Sequence, residues 1–385
     1  MTIESARDPR IRTEQSEKSR FKPASHLATD TALPLTSRKK ENSMQRRKIV
    51  FTACLGIALM LISNAALAQY QLTNLVSNQV GAAKHTDPLL ANAWGLTYGP
   101  GGPFWISDEA SGWSTLYDGN GVKQGFEVLT PSETGQGPGS PTGIVFNGSQ
   151  DFPVQGWASV FLFATLDGTI SGWAPQSNPN QSIIAVDKSS SGAVYTGLAI
   201  TSKTSGNFLF AADSANNKVD VYDGNFNLVT SFTDTTLPAG FAPFGIQDIN
   251  GQVYVAFASS TGGSGGYIDI FSESGTFVKR LTQSGRLNQP WGLAVAPSGF
   301  GPLSNTLLVS NNLNKTGEIN GFNLSTGQFV GTVNDSNGKA IQIDQLWGIL
   351  FGGGTSSNGG INQLFFTAGP SNNLAGTFGV IALKK

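Results

Sequence analysis

The chain has 385 residues, with 48 glycines, one cysteine, two histidines and a formal net charge of −1. Half of the basic residues precede residue 49; downstream of residue 68, 12 Lys and Arg face 19 Asp and Glu, a net charge near −7. That balance argues against nucleic acid or anionic lipid as a partner, and a lone Cys54 excludes both a disulfide framework and a Cys nucleophile downstream of it.

Residues 1–43 are polar, charged and poor in aromatics, the composition of a disordered segment. The stretch MQRRKIVFTACLGIALMLISNAALAQ begins at Met44. It has a basic start (Arg46, Arg47, Lys48), an apolar core of 13 residues from Ile49 to Leu61, and a small-residue end at Ala66-Leu67-Ala68. This is the anatomy of a secretory signal peptide cleaved after Ala68. A signal begins at an initiator, so Met44 reads as the natural start and 1–43 as a mispredicted extension. The apolar core is shorter than the roughly 20 residues of a membrane span, which leaves an uncleaved anchor as the alternative. Arg46-Arg47 matches a twin-arginine signal only in part, and Cys54 lacks a lipobox. The expected domains are therefore 1–43 extension, 44–68 signal and 69–385 a single folded unit, secreted or periplasmic.

From residue 92 onward one pattern returns: NAWGLTYGP, SPTGIVFNG, APFGIQDING, NQPWGLAVAPSG, QLWGILFGG. Its anchoring glycines are Gly95, Gly143, Gly197, Gly245, Gly292 and Gly348, spaced 47 to 56 residues apart. After each comes an apolar strand, then a second (FWISD, VFLFATLD, FLFAADS, VYVAFAS, TLLVSNN, QLFFTAG), a polar loop, a third strand, a turn and a fourth. Asp118-Gly119 and Asp223-Gly224 mark third-to-fourth strand corners, where a tight hairpin is expected to need φ > 0. Four short strands per roughly 50 residues, without an amphipathic helix, predict blades of a β-propeller. A β-sandwich is the alternative, and it gives no reason for six in-phase glycines.

The last unit supplies only three strands before the chain ends, while YQLTNLVS at 70–77 belongs to no unit. Placed on the outer edge of the sixth blade, that strand closes the ring and covers an open edge. The fold class is thus all-β: a six-bladed propeller closed by an N-terminal strand.

The segment FLFAADSANNKVDVYDGNFNLVTSF, 208–232, resembles an NHL repeat: Asp213, Asn216, Asn217 and Lys218 match its signature. Other units match loosely. Ser107-Asp108 keeps the Asp, Ser310-Asn311-Asn312 replaces it, and Ala256-Phe257-Ala258 loses it. NAWGL with FWISD, and QLWGILFG with QLFFTAGP and GTFGVIA, are also similar to an uncharacterised family of secreted bacterial propeller proteins. That resemblance, over roughly 70–382, implies fold and export and carries no catalytic residue.

The loop before a blade's first strand shares a face with the loop between its second and third. One face therefore gathers Trp94, Phe244, Trp291 and Trp347, either as interblade packing or as an aromatic floor for a ligand. It also gathers Asp108, Glu109, Asp167, Asp213, Asn216, Asn217, Asn311, Asn312, Asn314, Glu318, Asn372 and Asn373. Asp and Asn are also the best turn formers, which is the structural reading of each. Lys218 is expected to be solvated on a loop rim.

Two functions fit. A binding or scaffold module would take a carbohydrate, a peptide or an envelope protein on this face, with aromatics under a sugar and Asp or Asn on its hydroxyls. The alternative is a lactonase- or esterase-like hydrolase with a central Ca²⁺, for which Asp108, Asp167, Asp213 and Asn311 are the candidate oxygen ligands. The turn Ala91-Asn92-Ala93-Trp94 lacks the Glu that such enzymes place there. No other cofactor is expected. A zinc lyase needs several histidines and only His85 lies past the signal; it sits in a polar connection, AAKHTDPLL, and reads as solvated. GGSGG at 262–266 joins two strands and opens no helix, so it is no phosphate cradle. The folded unit is expected to be a monomer, not embedded in a membrane.

Overall fold

In the computed structural model, which describes residues 69–201, 206–283 and 285–384, five of the glycine-anchored units each fold as one four-stranded antiparallel sheet and the sixth contributes three strands to its own. The predicted extension, signal and cleavage site lie outside the described residues. Blade 1 comprises Ala93–Tyr98, Phe104–Asp108, Trp113–Tyr117 and Val128–Leu129; blade 2, Pro141–Phe146, Phe161–Thr165, Thr169–Trp173 and Ile183–Asp187. Blade 3 comprises Tyr195–Thr201, Phe208–Asp213, Lys218–Tyr222 and Leu228–Phe232; blade 4, Phe241–Ile249, Gln252–Ser259, Gly266–Ser272 and Phe277–Thr282. Blade 5 comprises Pro290–Val295, Thr306–Asn311, Ile319–Asn323 and Phe329–Thr332. Blade 6 takes Leu346–Phe351, Leu364–Ala368 and Thr377–Leu383 from its own unit. Its fourth strand is Tyr70–Ser77, antiparallel to Thr377–Leu383 from Tyr70 opposite Leu383 to Ser77 opposite Thr377. The chain is therefore a six-bladed β-propeller closed by its N-terminal strand. His85–Thr86, exposed as expected, adds a short parallel pairing outside that strand.

Alternation along the strands sends apolar side chains to both faces of each blade, because each blade is buried between two others. The outcome is one hydrophobic cluster per seam. Trp105, Leu116 and Phe161 fill the seam between blades 1 and 2; Leu162, Tyr195 and Leu209 that between 2 and 3; Phe210, Val221 and Phe257 that between 3 and 4. Ile268, Leu293 and Phe322 fill seam 4/5, Phe300, Leu346 and Phe366 seam 5/6, and Phe104, Tyr117 and Phe378 seam 6/1. The closing strand joins two seams at once. Tyr70 and Leu72 pack in seam 5/6, and Leu75 and Val76 in seam 6/1.

Two local expectations change. At the Asp-Gly corners the left-handed residues are Gly121 and Phe226, two positions past Gly119 and Gly224. The aspartate makes the turn instead: Asp118 Oδ1 accepts the Asn120 and Val122 amides, and Asp223 Oδ1 those of Asn225 and Asn227. The glycines are needed for room. A Cβ on Gly119 would lie 2.6 Å from the Gly359 nitrogen, and one on Gly224 2.8 Å from the Asp151 carboxyl carbon. Blade 2 also carries an unanticipated small hairpin, Pro153–Val154 with Trp157–Ala158, turned by Gln155 and Gly156 at positive φ.

Candidate functional site

The repeated aromatic–Gly turn is a β-bulge. In every blade the pairing of first and second strands slips by one residue beside the anchoring glycine, as between Ala93 and Leu96 or Pro290 and Leu293. The extra residue re-aims the side chain before the glycine toward the axis. The glycine itself passes the backbone of the next blade. A Cβ on Gly95 would overlap the Thr142 carbonyl, one on Gly245 that of Trp291, and one on Gly348 would come within 2.7 Å of that of Trp94. These contacts run around the ring and close it.

The four predicted aromatics meet on the axis. Trp94 and Trp347 stack with centroids 3.7 Å apart; Trp291 stands edge-on to both, at 6.2 and 6.1 Å, and Phe244 lies 5.8 Å from Trp347. Hydrogen bonds fix two of them: Trp291 Nε1 donates to Thr196 O at 2.9 Å, and Trp347 Nε1 to Asn92 Oδ1 at 3.0 Å, whose Nδ2 donates to Glu109 Oε2 at 2.6 Å. Below this plug Leu96, Ile144, Leu198, Ile246, Leu293 and Ile349, the residues after each glycine, form an apolar collar around a cavity of about 50 Å³. That holds a few waters, whereas ligand sites run to about 300–1,000 Å³. The axis is a packed core.

The predicted polar residues do not converge. Asp108, Asp167, Asp213 and Asn311 tie segments within their own blades. Asp213 Oδ1 accepts the Val194 and Asn216 amides, and its Oδ2 accepts Asn216 Nδ2 at 2.8 Å. Asn311 Oδ1 accepts the Asn288 amide at 2.7 Å, and Asp167 Oδ2 the Ser140 amide at 2.8 Å. Asp108 is fully buried: Oδ2 accepts the Thr115 amide, Oδ1 has no hydrogen-bond partner, and burial pushes the carboxyl well above the usual carboxylate range. Among the described residues no group of three His, Cys, Asp or Glu is placed to hold a metal ion.

Asn312 Nδ2 reaches Leu346 O of the next blade, and Asn314 Nδ2 donates to Asn372 Oδ1 at 2.9 Å. Asn217, Asn372 and Asn373 adopt positive φ, as turn formers do. Lys218 is not free on a rim: its Nζ lies 2.6 Å from Asp220 and 3.9 Å from Asp213.

One predicted aromatic keeps a face toward solvent. Phe244 is partly exposed, and with Ala242, Pro243, Ala215 and Ala258 it floors a cleft of about 330 Å³ rimmed by Ser214, Ser259, Ser260 and Gln289. Sequence reasoning missed this rim. The signal available was Gln289, a polar residue three before its bulge glycine; Asn92 and Gln345 hold the same place, and all three have φ near +50°. No helix among the described residues is long and apolar enough to cross a membrane.

No protein-family model matches the chain. Among solved structures it is similar to the gluconolactonase XC5397 from Xanthomonas campestris, with TM-score 0.53 and 12% identity over 84% of this chain and 93% of that one. It is also similar to a streptogramin B lyase, with TM-score 0.51 and 11% identity over 83% and 100%. At such identities the likeness is one of fold alone. The uncharacterized protein R648 of Acanthamoeba polyphaga mimivirus is 32% identical over 337 residues, covering 82% of this chain and 81% of that protein. At that identity and coverage, the chain belongs to the family that includes mimivirus R648.

Proposed function

We propose that the chain is an exported, NHL-like binding module that holds a carbohydrate, a peptide or an envelope partner on the face bearing the aromatic plug. The observation that carries this reading is the 330 Å³ cleft over Phe244, a concave site with an apolar floor and a few convergent polar groups. Its floor is held by the plug, so little ordering is needed on binding. Export is tested by the intact mass of the secreted or periplasmic product, expected to begin at Gln69. Binding is tested by thermal shift of that product against glycans, peptides and envelope polymers. One class is expected to raise the melting temperature, and Phe244→Leu to remove the effect; silence across all three classes rules against the reading. A calcium-dependent lactonase-like hydrolase is the competing proposal. Bound calcium at one ion per chain, with calcium-dependent melting, would favour it.

A further inference from the structure

Within the mouth-face reading, on which this rests, we infer that the cleft over Phe244 takes a neutral, hydroxyl-rich ligand, a saccharide, that donates hydrogen bonds to the rim. Three of the four rim side chains have their protons already committed. Ser214 Oγ donates to Val194 O at 3.3 Å, and Ser260 Oγ to Gly240 O at 3.2 Å. Gln289 Nε2 donates to Ser259 O at 3.2 Å and to Gly263 O at 2.9 Å. A serine hydroxyl has one proton and two lone pairs, and a glutamine amide has two protons. What these three groups keep for a ligand is acceptor capacity: the serine lone pairs and Gln289 Oε1.

An acceptor rim selects by chemistry. A phosphate or carboxylate brings acceptors of its own and finds no cation, since no residue lining the cleft is charged. An ammonium ion, with or without N–H donors, would have its charge desolvated without a carboxylate in the lining. A peptide backbone leaves one carbonyl unpaired for every amide it offers. A pyranose supplies several hydroxyl donors and an apolar C–H face, and the floor offers Phe244 with Pro243 and Ala258 beside it.

The exported chain is titrated by tryptophan emission, because Phe244 lies 5.8 Å from Trp347. The probes are neutral hexose and N-acetylhexosamine oligosaccharides, their permethylated forms, hexuronate oligosaccharides and tetramethylammonium. A neutral oligosaccharide is expected to bind, at least about tenfold more tightly than its permethylated form, which lacks the donors. Phe244→Leu is expected to weaken it about tenfold or more, and Ser260→Ala, at an exposed position, by about two- to tenfold. Preference for hexuronate or tetramethylammonium, or indifference to permethylation, overturns the ligand class and leaves the mouth face standing if Phe244→Leu still matters. Saccharide binding unchanged in both variants overturns the site as well. No binding by any probe overturns the inference, and the mouth-face reading then rests on the peptide and polymer arms of the thermal screen.

Discussion

All six blades share the same bulge and the same glycine, yet the axial aromatics come from one side, with Leu166 of blade 2 packed against them. Blades 4, 5, 6 and 1 place Phe244, Trp291, Trp347 and Trp94 at the bulge; blades 2 and 3 place Thr142 and Thr196. The threonines turn inward to their own sheets and neighbours: Thr142 Oγ1 donates to Tyr195 O at 2.6 Å, and Thr196 Oγ1 to Ala212 O at 3.3 Å. Trp291 crosses from the aromatic arc to bond Thr196 O. The glycine is dictated by the close approach of the next blade's backbone and is repeated in every blade. The residue before it decides only what occupies the axis, so it differs around the ring. The cleft lies where the aromatic arc ends, at Phe244.

The comparison would be broken most severely by deleting residues 70–77, which close blade 6 and thereby hold the arc together. Tyr70, Leu75 and Val76 are buried, at about 1.5–3 kcal/mol each, so a loss of roughly 5 kcal/mol or more is expected. Calorimetry should show loss of the cooperative transition; an unchanged melting profile would sink the ring as described. Trp347→Leu removes the 3.7 Å stack on Trp94 and the bond to Asn92, and is expected to cost about 3 kcal/mol. Thr196→Val on the other side loses one 3.3 Å hydrogen bond, about 1 kcal/mol. Equal costs by denaturant titration would mean that the arc carries no special share.

Glycine substitutions sharpen the point. Gly245→Ala drives a methyl into the Trp291 carbonyl and is expected to cost about 1–3 kcal/mol. Gly197→Ala, whose Cβ would sit 3.0 Å from Phe244 O, should cost less, and a reversed order would contradict the ring of close approaches. A separate test lies away from the axis. Asp269, on the third strand of blade 4, is fully buried, shares Arg280 with Asp234, and is raised by burial to about 7. Its folded value exceeds its unfolded one, so the folded state binds the extra proton and stability falls as pH rises from about 4 to about 7. Asp269→Asn should flatten that part of the pH–stability curve; an unchanged slope rules out Asp269 as its source.

Blade number, strand order and closure were legible because each follows from a local, repeated pattern: glycine spacing, two-residue alternation, and a strand left over at one end against a strand missing at the other. The fate of the candidate polar residues was not. Asp108, Asp213 and Asn311 end the second strands of their blades, and Asp167 follows the second strand of blade 2. Whether such a side chain aims at a ligand or at backbone depends on which amides lie within about 3 Å, and those come from segments 19 to 27 residues away, from its own loop or from the adjacent strand.

By itself the sequence determined the repeating units and the six close approaches of backbone to backbone, because a missing side chain every 50 residues or so is a steric requirement written one residue at a time. Tertiary structure alone decided that four aromatics seal the axis and that the open cavity lies off it, over Phe244. Those outcomes depend on which side chains from different blades reach the same point, and on where the last of them leaves a face uncovered.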